Sequence, residues 1–226
     1  MLDHFISLVQ KFPLSIFAEV FTVVPIAAGI IQFKRLGPGM KALMLLLALI
    51  LLRDSVSDYF AARQISNLFL YNTSALLEAI LVYFIFIGNL KNKRTKRYIL
   101  YTLLLTTIAG LLFWSNAEIS SETLVLSKVF NIIIVLTYFN YLLSELRIAN
   151  ILIHSLFWVG SGLILQATGT FFVYLFSKII FSTQSDPEIF VYYWNFGQMM
   201  YVIFCCFAAV GLWVSKYEGV DNQSLS

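Results

Sequence analysis

Charged residues, cysteine and histidine are all scarce in this chain, and each shortage excludes a class of protein. Only 12% of the 226 residues are charged, about half the share found in soluble domains. The two histidines, His4 and His154, and the adjacent Cys205 and Cys206 are too few for a zinc site or a disulfide framework. No serine-hydrolase elbow of the Gly-x-Ser-x-Gly type occurs either. We therefore expect no cofactor and no metal.

What the chain has in excess is apolar surface. Apolar residues make up 60% of it, and the mean hydropathy is +0.84. A soluble core could not bury that much surface, whereas a bilayer accepts about 20 apolar residues for each helical span. The basic residues lie in short loops rather than on one face, so nucleic acid is not an expected partner. The expected partner is the lipid bilayer.

Hydropathy predicts an all-α, polytopic membrane protein that forms a single bundle of seven transmembrane helices over residues 1–226. The predicted spans are Leu14–Phe33, Met40–Ala62, Asn67–Leu90, Arg97–Ser115, Leu124–Leu146, Asn150–Ile180 and Ile189–Ser215. Met1–Pro13 lacks a basic start and a small-residue cleavage site, so we expect an amphipathic surface segment there rather than a signal peptide.

Basic loop residues predict the orientation. They alternate with acidic loops, and the positive-inside rule makes the basic side cytoplasmic, which puts the N-terminus outside and the C-terminus inside. Basic residues in these loops are Lys34, Arg35, Lys41, Lys91, Lys93, Arg94, Lys96, Arg97, Arg147 and Lys216. On the opposite side are Glu118, Glu122, Asp186 and Glu188. Lys128 is one of a few exceptions, interpreted as a residue near a helix end whose side chain reaches outward to water.

A weak internal similarity suggests a repeat. Tyr71-Asn72 opens the third span and Trp194-Asn195 opens the seventh, each before an apolar run that ends in a basic residue. This is compatible with a parallel 3+1+3 arrangement, as in sugar transporters of the SWEET type, although the Pro-Gln signature of that group's relatives is missing. Chance similarity between two apolar helices is the favoured explanation.

The second predicted span carries the most informative polar residues. Only about eleven apolar positions precede Arg53, or roughly 17 Å of helix, against a hydrocarbon core of about 30 Å. The Gly-Pro-Gly turn at residues 37–39 prevents extension backwards. Arg53, Asp54 and Asp58 are therefore expected inside the outer half of the membrane.

Other polar residues are predicted at similar depth, where they must face the bundle interior or a wet cavity. The candidate ligand-binding set is Glu19, Arg53, Asp54, Asp58, Asn72, Glu78, Asn131, Gln166, Asn195 and Gln198. Four carboxylates and one clearly buried base predict an acidic cavity that opens outward and binds a small ligand or a cation. Arg53 is expected to pair with Glu78 or Glu19. Each Asn or Gln taken singly is better explained as a residue that holds helices together, whereas Arg53, Asp54 and Glu78 together favour function.

Two further features complete the sequence interpretation. Tyr192, Tyr193, Trp114 and Trp194 lie near the outer boundary and fit an interfacial aromatic belt, with the walls of a ligand pocket as the alternative. The sixth span is longer than a bilayer requires, so its outer end should bend or project.

Four segments carry a resemblance. They are Arg53-Asp54, Tyr71-Asn72 with Glu78, the stretch 156–162 (LFWVGSG) and the stretch 209–213 (AVGLW). Together they resemble uncharacterised small seven-helix membrane proteins of the Bacteroidota. The resemblance implies a multi-pass protein of the bacterial inner membrane and implies no activity.

Three functions are compatible with these features. A receptor-like or regulatory protein is favoured, because an outward polar cavity with minimal loops suits ligand sensing through a cytoplasmic or membrane signalling partner. A small-solute or ion transporter is the alternative, disfavoured by the apolar inner half. A carboxylate-dependent intramembrane hydrolase is the second alternative, and an enzyme is therefore the less favoured class.

Overall fold

The computed structural model describes residues 10–116, 118–144, 151–180 and 187–218, which contain helices and turns and no strand. The helices are α1 (Pro13–Phe21), α2 (Val23–Gln32), α3 (Pro38–Ala62), α4 (Leu68–Ile87), α5 (Lys93–Leu112), α6 (Ser121–Ser144), α7 (Ser155–Leu175), α8 (Ser177–Ile180) and α9 (Pro187–Val214). Each predicted span overlaps one of the long helices, or the α1–α2 pair, with ends that differ by up to about five residues. Most of the expected N-terminal surface segment lies outside the described residues.

Two predicted spans are interrupted, each for a local reason. The first breaks at Thr22, between α1 and α2. Pro25 lacks an N–H, and its ring crowds the carbonyl four residues earlier, which belongs to Phe21. The sixth ends at Leu175 and continues as the short helix α8, as expected for a segment that is longer than a bilayer needs.

Six units form a closed ring, and α5 lies outside it. The α1–α2 pair packs on α9, α9 on α7, α7 on α6, α6 on α4, and α4 on α3, which returns to α1 and α2. Helix α5 packs against the outer faces of α4 and α6. The end that carries Lys34, Arg35 and the basic start of α5 is called the basic end below, and the end that carries Glu118 and Glu122 is called the acidic end.

Close helix approach depends on glycine at defined points. A Cβ at Gly39 would lie 2.3 Å from the Ile85 carbonyl oxygen, and one at Gly162 would lie 2.5 Å from Cβ of Phe207. The first contact joins α3 to α4, and the second joins α7 to α9. Towards the basic end, the interior is filled by fully buried apolar side chains. They include Leu43, Leu47, Val82, Ile85, Phe86, Phe130, Ile134 and Leu212.

Five of these segments are long and apolar enough to cross a membrane, which makes the chain a multi-pass membrane protein. They are Pro13–Arg35, Leu68–Ile87, Ser121–Ser144, Ser155–Leu175 and Glu188–Val214. The other two long helices are more polar. Helix α3 carries Arg53, Asp54 and Asp58 in its second half, and α5 opens on a basic run.

Candidate functional site

A cavity of about 80 Å³ lies inside the ring, in the half towards the acidic end. Helices α3, α4, α6, α7 and α9 contribute its walls. The polar and aromatic lining side chains are Arg53, Tyr71, Glu78, Lys128, Gln166, Thr170, Tyr174, Tyr193, Trp194, Gln198 and Tyr201. A cavity of this size has room for several waters, since one water needs roughly 10–15 Å³.

The deepest charged group in this cavity is an ion pair between α4 and α6. Nζ of Lys128 lies 2.6 Å from Oε1 of Glu78, and Nδ2 of Asn131 donates to the same oxygen at 2.7 Å. Lys128 is only 3% exposed. The interpretation of Lys128 as a residue that reaches outward is therefore wrong. It points into the bundle, because Glu78 offers a partner there that lipid cannot.

Arg53 forms the second charged group, but with a different partner from the predicted ones. Its Nη2 lies 2.7 Å from Oδ1 of Asp54, and its Nε donates to that oxygen at 2.8 Å. Nη1 donates to Oγ of Ser74 at 3.2 Å, and the guanidinium lies over the Tyr71 ring at 5.1 Å. The expected pairing with Glu78 or Glu19 is wrong, because Arg53 pairs with the adjacent Asp54 and Lys128 occupies Glu78.

Several polar groups of the cavity wall have unused hydrogen-bonding capacity. The contacts of Arg53 use three of the five N–H groups of a guanidinium, and Lys128 donates to one carboxylate with an ammonium that has three donors. Gln166 is 9% exposed, and its buried Oε1 has no hydrogen-bond partner. The wall thus presents spare donors on two cations and one spare acceptor.

The charge of the wall differs from the expected acidic cavity. Arg53, Lys128 and Glu78 are the charged side chains that line it, which gives two positive groups and one negative group. Asp54 neutralises Arg53 at 2.7 Å without lining the cavity, so the charges of the two ion pairs sum to zero. Arg53 and Lys128 nevertheless face the cavity with unused N–H donors, which favours an anion or a zwitterion over a cation.

The remaining predicted carboxylates form a separate group. Glu19 on α1 accepts a hydrogen bond from Oγ of Ser55 on α3 at 2.5 Å. Asp58 lies three residues beyond Ser55 on α3. Neither Glu19 nor Asp58 lines the central cavity. The structure therefore does not assemble the four carboxylates into one site.

Three predicted asparagines lie outside the cavity lining. Nδ2 of Asn72 donates to the carbonyls of Ser115 and Glu118 at 2.7 and 2.9 Å, and its Oδ1 accepts from the Ser120 N–H at 3.0 Å. Asn72 thereby fastens the α5–α6 connection to α4. Asn131 supports Glu78, as described above, and the buried Oδ1 of Asn195 has no hydrogen-bond partner.

Of the ten predicted residues, Arg53, Glu78, Gln166 and Gln198 line the cavity. The sequence interpretation missed Lys128 and most of the aromatic wall. Trp194 and Tyr193 were expected in the interfacial belt, with the walls of a pocket as the alternative, and both line the cavity as that alternative stated. Tyr192, which is 69% exposed, fits the belt. The missed signal was helical spacing, since 194, 197, 198 and 201 share one face of α9.

A second polar cluster lies at the basic end. Oε1 of Glu218 is 2.9 Å from Nδ1 of His154 and accepts the Ser155 N–H at 2.6 Å, so Glu218 caps the start of α7. Nε2 of His154 hydrogen-bonds the Tyr138 hydroxyl. Burial would raise the pKa of Glu218, but the hydrogen bonds from His154 and Ser155 outweigh it and lower the pKa.

No family model, curated protein or solved structure matches this chain. Within the described part of the chain, no three His, Cys, Asp or Glu side chains are grouped so that they could hold a metal ion. The candidate site therefore stands on its own geometry.

Proposed function

We propose that the chain is a receptor-like or regulatory membrane protein whose central cavity binds a small anionic or zwitterionic ligand. The observation that carries this proposal is that one cavity presents spare donors on Arg53 and Lys128 together with a spare acceptor on Gln166. A buried ammonium is costly unless its donors are satisfied. A carboxylate or phosphate would satisfy them, and a hydroxyl or N–H on the same ligand would satisfy Gln166.

The proposed topology is seven spans with the N-terminus outside and the C-terminus in the cytoplasm of a bacterial inner membrane. Seven helical segments, the basic loops on one end and the resemblance to Bacteroidota proteins support it. The peripheral place of α5 supports a 3+1+3 organisation, since the ring is then made of the first and last three spans. A fusion of green fluorescent protein to the C-terminus should fluoresce, and a dark fusion at normal expression would contradict the orientation.

Packing favours a receptor over the two alternatives. The basic half of the bundle is filled by buried apolar side chains, whereas transport needs a path through both halves. A two-carboxylate hydrolase needs a pair of acids around one water, yet Glu78 is the only carboxylate among the described residues that lines the cavity. The signal would pass to a cytoplasmic or membrane partner.

Ligand binding can be tested with three small probes on the purified chain in nanodiscs. Acetate offers a carboxylate, glycolate adds a hydroxyl, and glycine adds an ammonium. We expect glycolate or glycine to raise the unfolding temperature more than acetate does, and Lys128→Met to abolish the effect. Asn140→Ala, at an exposed position on the same helix α6, is the control. Failure of all three probes to stabilise the protein would refute the proposal.

A flux measurement separates the receptor from the transporter. Vesicles that contain the protein should not accumulate radiolabelled glycolate or glycine under an ion gradient. Uptake that Lys128→Met abolishes would favour the transporter instead.

A further inference from the structure

A second cavity lies on the outer surface of the ring, between α3 and α4. Its volume is about 200 Å³. Its apolar walls include Leu49, Leu52 and Val56 on α3, and Leu70, Leu77 and Leu81 on α4. The groove runs along α3 from Leu46 to Val56, which is roughly 15 Å of helix at 1.5 Å per residue. Leu52 and Leu77 are 60% and 42% exposed, so the groove faces the surroundings of the bundle, which are lipid.

The groove and the central cavity share a wall. Ile50, Arg53 and Glu78 line both. These three side chains are thus what separates the lipid-facing groove from the polar cavity. Arg53 pairs with Asp54 on its own helix α3, whereas Glu78 on α4 pairs with Lys128 on α6. Arg53 and Glu78 therefore do not pair with each other, and Arg53 contacts α4 through its 3.2 Å hydrogen bond to Ser74.

From this shared wall we infer that the ligand is a single-chain anionic lipid that enters sideways from the bilayer. Its chain lies in the α3–α4 groove, and its anionic head reaches the spare N–H groups of Arg53 and Lys128. A hydroxyl or N–H next to the anionic group donates to Oε1 of Gln166. The inference rests on the proposed function and adds to it the class of ligand and the route of entry.

The chain and the head of such a lipid contribute differently to its binding. A chain that moves from bilayer to groove exchanges one apolar environment for another, so it gains little free energy there. Affinity comes from the head, because buried Lys128 and half-buried Arg53 offer unused N–H donors to its anionic group. The chain holds the lipid in the bilayer and places its head at the wall that the groove and the cavity share.

The test compares a lipid with its own head group. The probe is 2-hydroxydodecanoate, whose head is equivalent to glycolate, and 1,2-dodecanediol keeps the chain and hydroxyl but lacks the charge. Binding to the full chain in nanodiscs is measured by native mass spectrometry and by the unfolding temperature. We expect 2-hydroxydodecanoate to bind and the diol to bind at least about tenfold more weakly, which corresponds to about 1.4 kcal/mol.

Two variants block the groove without entering the cavity. Leu77→Trp and Leu52→Trp place an indole in the groove from exposed positions on α4 and α3, where the larger side chain has room. Leu45→Trp is the matched control, since Leu45 is 51% exposed on α3 but does not line the groove. We expect both groove variants to lose about tenfold or more of their affinity for 2-hydroxydodecanoate, to keep their affinity for glycolate, and to unfold at the wild-type temperature.

The outcomes separate the two proposals. Glycolate binding with no weakening of 2-hydroxydodecanoate in either groove variant, or with equal binding of the diol, overturns the lipid inference and leaves the cavity proposal intact. If the groove variants lose both ligands and unfold at a lower temperature, the groove does not act separately from the cavity. That result also counts against the lipid inference. If neither glycolate nor 2-hydroxydodecanoate binds the wild type, both proposals fail.

Discussion

Replacing Gln166 by methionine should make this protein more stable and less able to bind. The two side chains have similar length and volume, so packing against the neighbouring helices is conserved. In the wild type, Oε1 of Gln166 is buried without a hydrogen-bond partner. An unpaired buried polar group costs about 1–3 kcal/mol. Methionine removes that cost, and it also removes the acceptor that we assign to the ligand.

The expected gain can be stated as an unfolding temperature. For chains of 150–250 residues, 1 kcal/mol shifts the unfolding temperature by about 2–4 °C. Gln166→Met should therefore raise it by roughly 2–12 °C in nanodiscs without ligand, as followed by tryptophan fluorescence. At the same time, the preference for glycolate over acetate should shrink by about threefold to tenfold, the worth of one hydrogen bond.

Asn195→Leu is the matched control for this experiment. Asn195 also has a buried oxygen without a partner, but it does not line the cavity. This variant should gain stability and keep the preference for glycolate. If Gln166→Met leaves that preference unchanged, or lowers the unfolding temperature while Asn195→Leu raises it, the role given to Gln166 is refuted.

Three further predictions follow from contacts elsewhere in the bundle. Gly39→Ala should destabilise the protein by about 1–3 kcal/mol in thermal unfolding. Gly88→Ala is the control and should be near neutral, because a Cβ at Gly88 meets open space. Equal effects of the two substitutions would contradict the close approach of α3 and α4. Lys128→Met should lower the free energy of unfolding by about 3–5 kcal/mol, because it leaves a buried carboxylate unpaired. Adding Glu78→Gln should restore most of that stability. Additive losses in the double variant would show that Lys128 and Glu78 are not coupled. Because the pKa of Glu218 is lowered from its usual 4.5, the stability that it contributes should be complete above about pH 4.5 and vanish as the pH falls through the folded pKa. Thermal unfolding of Glu218→Gln and the wild type should then differ at pH 7 and converge in acid, and a constant difference would exclude this cap.

The predictability of the fold follows from how strongly each element is marked in the sequence. Apolar runs and basic loops mark the long helices, and turn residues such as Pro38 mark where they begin. The break at Thr22 was also within reach, since Pro25 lies inside the first predicted span. Depth along a helix is likewise readable, because charge positions and 1.5 Å per residue place Arg53 and Glu78 inside the bundle.

The partners of buried charges could not be predicted in the same way. Depth fixes a position along a helix axis, whereas pairing also depends on rotation and on which helices are neighbours in the ring. Lys128 lies about ten ångströms from the start of α6, a depth compatible with a side chain that reaches water or one that turns inward. Because α4 packs against α6, the Lys128 side chain turns inward and pairs with Glu78. The loop contacts of Asn72 could not be predicted for the same reason.

The two lysine–glutamate pairs of α6 show why the buried one points to function. Lys178 and Glu122 meet 2.5 Å apart at the acidic end with side chains that are 55% and 39% exposed, where an ion pair costs little and contributes little. Lys128 and Glu78 make a similar contact inside the bundle, where removing two charges from water costs several kcal/mol per ion before any attraction is counted. Apolar residues could fill that space at least as stably. A buried lysine with unused donors, in the same cavity as an unpaired glutamine oxygen, is thus unfavourable as a purely structural contact between two helices. Its unused donors suit the anionic ligand that we propose.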